Sequence, residues 1–170
     1  LDSLADVISF GFAPAALVCH MFKDYPYPES MFWIAPYLPY AAFIIAAFSA
    51  VRLAKFNLDT RQSHSFIGMP TPANALLIIG IANAPLLQVA WTTPVWGLVF
   101  LFSLIILTSY LLVCELPMFS LKTPSKLPLI FAVSALVLTI VLLCLGYGLL
   151  GLAISMVAYI IASLLLSLKK

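Results

Sequence analysis

The chain has 170 residues, 64% of them hydrophobic and only 8% charged, with a mean hydropathy of +1.16. Soluble domains carry roughly 25% charged residues, so this composition excludes a water-soluble globule. The net charge of +2 says little by its sum, because in a membrane protein the placement of charge governs behaviour, and no nucleic-acid partner is expected.

The apolar residues fall into six runs, at about 3–22, 31–51, 73–91, 94–114, 127–145 and 147–168. Each approaches the ~20 residues that a helix needs to cross a ~30 Å hydrocarbon layer. The predicted fold is all-α, a polytopic transmembrane helical bundle forming one domain over residues 1–170.

The first run opens with LDSLADVISFGFAPA, which sets Asp2 and Asp6 one helical turn apart on a shared face. Two readings stand. Both acids can sit in interfacial water at a helix start, where the macrodipole favours them. Alternatively, hard oxygen ligands at this spacing suit a divalent ion such as Mg²⁺ or Mn²⁺. A helix starting only after Asp6 would rise about 24 Å to Phe22, short for a span, so the helix is expected to begin at or before Leu1.

The second run ends in RLAKFN. Arg52 and Lys55 are three apart and share a face, with Asn57 just beyond. They can anchor a helix end among anionic headgroups, or clamp a phosphate or carboxylate. FIGMPTPA follows, a stiff loop in which Gly68, Pro70 and Pro72 either connect two spans or hold backbone amides against a ligand. Along the third run, Asn74, Asn83 and Gln88 are expected to supply interhelical hydrogen bonds. Glu115 closes the fourth run at the interface. Gly146 and Gly148 mark a hairpin between the last two runs, since an unbroken helix there would be twice the bilayer thickness.

Cys19, Cys114 and Cys144 lie inside or at the ends of apolar runs without metal-site spacing and are read as packing residues. His20 and His64 are read as structural, lacking a second histidine or a carboxylate at ligand spacing. Trp33, Tyr37, Trp91 and Trp96 fit interfacial aromatic belts. With six spans, one face receives Arg52, Lys55, Arg61, Lys122, Lys126, Lys169 and Lys170, and the other only Lys23. Seven against one predicts that the first face, with Asp2 and Asp6, is cytoplasmic.

Taken together, these motifs resemble the CDP-alcohol phosphatidyltransferase family. The Asp2 and Asp6 spacing fits the closing D-x3-D of its signature D-x2-D-G-x2-A-R…G-x3-D-x3-D. FGFAPA, RLAKFN and FIGMPTPA resemble the serine-using branch. The resemblance runs from Leu1 to about Ala73. It implies metal-dependent transfer of a phosphatidyl group from CDP-diacylglycerol to the hydroxyl of L-serine, with release of CMP, at the cytoplasmic face of a bacterial or archaeal cell membrane. It also implies that Asp2 is a ligand for Mg²⁺ or Mn²⁺ and that Asp6 is the general base and a ligand. Arg52, Lys55, Asn57, Gly68 and Pro70 are implied as substrate-binding residues, and a homodimer is expected. The earlier half of the signature is absent, so two upstream spans, eight in all, are expected in the intact protein, and this chain alone is expected to be incomplete. Lys55 stands where the branch is expected to carry arginine, keeping the charge but losing the bidentate fork. The alternatives are a glycerol phosphate or inositol phosphate acceptor within the same family, a transporter, and a non-catalytic membrane partner.

Overall fold

A computed structural model of the chain describes residues 2–58, 66–85, 88–89, 93, 96–114, 117–118 and 126–168. Leu1, Arg61, His64, Trp91, Glu115, Lys122, Lys169 and Lys170 lie outside the described residues, as does the side chain of Lys126. The fold is an all-α membrane bundle of apolar helices. They are α1 (Asp2–Lys23), α2 (Leu38–Leu58), α3 (Thr71–Ala82), α4 (Trp96–Val113), α5 (Lys126–Cys144) and α6 (Leu150–Leu168). The helices α1, α2 and α4 are long and apolar enough to cross a membrane. At 19 residues each, α5 and α6 rise about 28 Å. Two short strands, β1 (Phe66–Ile67) and β2 (Pro117–Met118), pair antiparallel and tie the chain before α3 to the chain after α4.

Among the described residues the first helix is already formed at Asp2, ahead of Asp6, while its expected start at or before Leu1 lies outside the described residues; it is not regular. A π turn occupies Ile8–Phe12, with the Ala13 N–H donating to the Ile8 carbonyl. Pro14 follows at once. A proline inside a helix has no N–H to give and its ring crowds the carbonyl four residues back, and a widened turn relieves that conflict. Within the π turn, buried Gly11 lies flat against α2, where an added Cβ would come within 2.9 Å of the Ser49 Cβ. Small residues at such contacts let apolar helices approach closely in a membrane.

Two expected spans are displaced. The second is expected at 31–51, but regular helix runs to Leu58 and its first turns, Leu38–Phe43, are 3₁₀. Pro28, Pro36 and Pro39 break the ladder on the way in, leaving Phe32, Trp33 and Tyr37 exposed on an irregular segment. At the other end, Leu53, Ala54 and Lys55 are good helix formers, and nothing stops the helix at the hydropathy boundary. The third span, placed at 73–91, is interrupted. Here α3 stops at Ala82, Asn83 takes a bridge conformation (φ −99°, ψ 15°), and Pro85 follows. At 12 residues α3 rises only about 18 Å. A broken helix is tolerated in a membrane where its freed groups find partners. The Asn83 carbonyl accepts the Leu149 N–H at 3.4 Å.

That contact docks the α5–α6 hairpin, whose turn carries Gly146 and Gly148 at φ +83° and +59°, as the sequence predicts. Farther along, α6 packs on α3 through Gly80, where an added Cβ would come within 3.0 Å of the Ala153 Cα. Gly80→Val is therefore expected to destabilise the bundle by about 1–3 kcal/mol, read as a lower melting temperature in detergent. An unchanged melting temperature would mean that α6 is not seated on that glycine. The core has two parts. One lies among α1, α2, α3 and α4, around Val18, Phe22, Ile45, Ile78 and Leu101. The other lies where α6 meets α3 and α4, around Met69, Leu77, Leu111, Ala153 and Tyr159.

The three cysteines are unpaired; Cys19 is buried in the core as a packing residue, Cys114 is half-buried, and Cys144 is exposed, so the packing reading does not hold for it. Two readings of polar residues need correction. His20 does have a carboxylate one turn on: its Nδ1 lies 2.8 Å from Asp24 Oδ2, and both side chains are largely exposed. Asn74 and Asn83 do not bridge helices through their side chains among the described residues. Asn83 Nδ2 donates to the Ile79 carbonyl of its own helix, and fully buried Asn74 has no hydrogen-bond partner among the described residues.

Candidate active site

The start of α1, the end of α2, the start of α3 and the second half of α6 meet at one end of the bundle around a cavity of about 430 Å³. That volume is in the range of small-molecule sites. From α1 come Asp2, Ser3 and Asp6. Asp2 is exposed at the rim, whereas Asp6, one turn deeper, is half-buried. Asn57 Nδ2 donates to Ser3 Oγ at 3.2 Å and pins the first turn of α1 to the last turn of α2.

Because α2 continues to Leu58, Arg52 sits well inside the helix rather than at its end. It is only 6% exposed. A buried guanidinium must be paired or hydrogen-bonded, and Arg52 Nε donates to the Met69 carbonyl at 2.8 Å. Its Cζ lies 5.6 Å from the centroid of the Phe56 ring, within cation–π range. The same loop is held from its other side, where the Met69 N–H donates to the Leu111 carbonyl at 2.9 Å. Pro70, Thr71, Pro72 and Ala73 then form the wall at the start of α3.

The residues singled out in the sequence thus divide. Asp2, Asp6, Arg52, Asn57 and Pro70 line one cavity. Lys55 does not; it is exposed on the outer side of α2. Gly68 also lies off the cavity. Its φ is +79°, and an added Cβ would come within 2.8 Å of the Cys114 carbonyl oxygen, so this glycine serves the close approach of the loop to the end of α4. Phe56, Leu76, Met156 and Tyr159 line the cavity without having been picked out. For Tyr159 a signal was present: Ser155, Tyr159 and Ser163 recur every fourth residue in an otherwise apolar span.

Chemically, the cavity is two-sided. Carboxylates and a guanidinium face it from α1 and α2, and mainly apolar side chains, with Thr71 and Tyr159 among them, face it from α3 and α6. Among the described residues, no group of three or more His, Cys, Asp or Glu side chains converges on one point. Asp2 and Asp6 offer two hard carboxylates at the rim, a donor set that fits Mg²⁺ or Mn²⁺ when phosphate oxygens, water or other carboxylates complete the shell.

No family model matches the chain. Curated proteins do. The chain is 42% identical over 80 residues to the CDP-diacylglycerol--serine O-phosphatidyltransferase of Helicobacter pylori strain 26695, covering 46% of this chain and 30% of that protein. It is 36% identical over 149 residues to the enzyme of the same name from Mycobacterium leprae, covering 82% of this chain and 45% of that protein. It is 36% identical over 78 residues to the archaetidylserine synthase of Methanothermobacter thermautotrophicus, covering 46% and 30%. The chain therefore spans less than half the length of these relatives. The likeness that the acidic pair and its flanking motifs pointed to is borne out: the chain is similar to the phosphatidylserine-synthase branch of the CDP-alcohol phosphatidyltransferases.

Proposed function

We propose that the intact protein makes phosphatidylserine, transferring a phosphatidyl group from CDP-diacylglycerol to L-serine and releasing CMP. The observation that carries the proposal is the pairing, in one cavity, of the D-x3-D carboxylates with a buried arginine and an apolar wall of Leu76 and Met156. A CDP-lipid needs both surfaces. Its diphosphate and nucleotide belong with the charged side and its glycerol and acyl chains with the apolar side.

In this reading Asp6 accepts the proton of the serine hydroxyl as its oxygen bonds to the phosphorus that carries diacylglycerol. The phosphoanhydride bond to CMP breaks, and CMP leaves with that electron pair. Arg52 faces the anionic groups of the reactants from α2. Asp2, with Asp6, would hold a divalent ion, which when bound neutralises the diphosphate. Among the described residues lining the cavity Arg52 is the lone lysine or arginine, which favours an unphosphorylated acceptor over glycerol phosphate or inositol phosphate. The seven-to-one distribution of basic residues supports placing this end of the bundle at the cytoplasmic face, where serine and CMP are soluble.

The test is CMP release from CDP-diacylglycerol by the intact protein in detergent, with each candidate alcohol in turn. Release is expected with L-serine and to fall to background with EDTA, then return when Mg²⁺ or Mn²⁺ is added in excess. Release with glycerol phosphate or inositol phosphate instead would replace the acceptor, and EDTA-resistant release would remove the metal.

A further inference from the structure

On α6, Ser155, Tyr159 and Ser163 recur at intervals of four, share one face and are all buried. Buried hydroxyls in an apolar span are costly unless they gain a partner. Ser155 is accounted for within its own helix, its Oγ donating to the Leu152 carbonyl at 2.9 Å. Tyr159 is placed differently. It is 2% exposed, yet it lines the cavity that holds Asp6 and Arg52. Its hydroxyl interacts with the Ser163 side chain one turn on and lies close enough to the Arg52 guanidinium to interact with it.

Apolar contacts fix its position from behind. The Gly80–Ala153 approach sets the register of α6 against α3, and Tyr159 follows Ala153 by six residues, about 9 Å nearer the cavity end. Its ring packs against Phe131, with centroids 5.9 Å apart. A rigidly seated phenol beside a guanidinium, in a cavity otherwise walled by hydrocarbon on that side, is suited to holding an anion.

We infer that Tyr159 is a substrate-binding residue whose hydroxyl donates a hydrogen bond to an anionic oxygen of the reactants, beside Arg52. The inference rests on the function proposed above. The shared chemistry is an oxyanion, which is either a phosphoryl oxygen of the CDP-lipid or the carboxylate of serine. It extends the site to a helix that the sequence motifs do not reach, so the hairpin of α5 and α6 takes part in recognition as well as in packing.

The test compares wild type with Tyr159→Phe, which keeps the ring against Phe131 and removes only the hydroxyl, in the intact protein in detergent. CMP release is titrated with serine at saturating CDP-diacylglycerol and the reverse, and thermal protection by each substrate alone is recorded. The expected result is an unchanged melting temperature without substrate and a KM raised about tenfold for one substrate, with weaker protection by that substrate. A raised serine KM assigns the carboxylate, and a raised CDP-diacylglycerol KM assigns the phosphoryl oxygen. Unchanged KM values and protection would overturn the inference, as would a lower melting temperature with unchanged KM values. Wild-type protein that releases no CMP would overturn the proposed reaction instead. The thermal arm then decides Tyr159 by itself, and equal protection of the two proteins by both substrates overturns it.

Discussion

Asp6→Asn is expected to lower CMP release by about 10²–10⁴-fold while leaving the melting temperature of the protein in detergent nearly unchanged. Asparagine keeps the size of the side chain and its hydrogen-bonding reach. It loses the negative charge and the capacity to take a proton. Asp6 is half-buried and lines the same cavity as Arg52, so a reacting hydroxyl held in that cavity can meet it. If Asp6 were merely a solvated residue at a helix start, the same change would cost almost nothing. Stability should move little in either case, because removing one of two like charges a turn apart relieves about 0.2–0.5 kcal/mol while giving up some attraction to Arg52.

Asp2→Asn separates the two roles. Asp2 is exposed at the rim and can serve a metal ion without touching the attacking hydroxyl. Its loss is expected to be smaller and partly recovered at high Mn²⁺, whereas Asp6→Asn should not be recovered by any metal concentration. Retention of more than a tenth of wild-type activity by Asp6→Asn would sink the assignment of Asp6 as the base.

What was legible in the sequence follows from which forces act locally. Hydropathy is a sum over a run of residues, so the membrane class and the six apolar runs were plain. The hairpin at Gly146 and Gly148 was plain as well, because a 40-residue helix does not fit a bilayer. The acidic pair was legible because its spacing alone places both carboxylates on one face. The same sum hid the break after Ala82, since one asparagine and one proline barely lower the hydropathy of a strongly apolar run. It also ended the second span at residue 51, because it cannot tell a basic residue in water from one buried inside a helix that continues to Leu58. The roles of Gly68 and Tyr159 were out of reach for a different reason, although the four-residue spacing of Ser155, Tyr159 and Ser163 marked the tyrosine itself. Their roles are set by Leu112 and Cys114 in one case and by Ala153 and Phe131 in the other, contacts that exist only once the bundle has assembled.

Arg52 carries the remaining large prediction, because its guanidinium has structural and chemical duties that a lysine cannot share. Arg52→Lys keeps the charge, yet it is expected to lower kcat/KM by about 10²-fold and to destabilise the protein by about 1.5–3 kcal/mol, the usual worth of a hydrogen bond from a charged group. Nε is occupied by the Met69 carbonyl at 2.8 Å, which leaves the far end of the planar fork for the cavity. A lysine has a single terminal nitrogen. It can reach for the carbonyl or for the substrate, and whichever it chooses leaves the other unserved. If it leaves Met69, the wall formed by Pro70 and Thr71 loses the hydrogen bond that ties it to α2, while the Met69 N–H bond to Leu111 and the β1–β2 pairing remain. The signature of this double duty is a fall in melting temperature and in kcat/KM together. Arg52→Met, which abolishes the charge as well, should cost the same or more in stability and abolish measurable release. A melting temperature unchanged in Arg52→Lys would show that the Met69 contact does not hold the loop. Unchanged kcat/KM in the same variant would show that the cavity needs a positive charge there but not a fork.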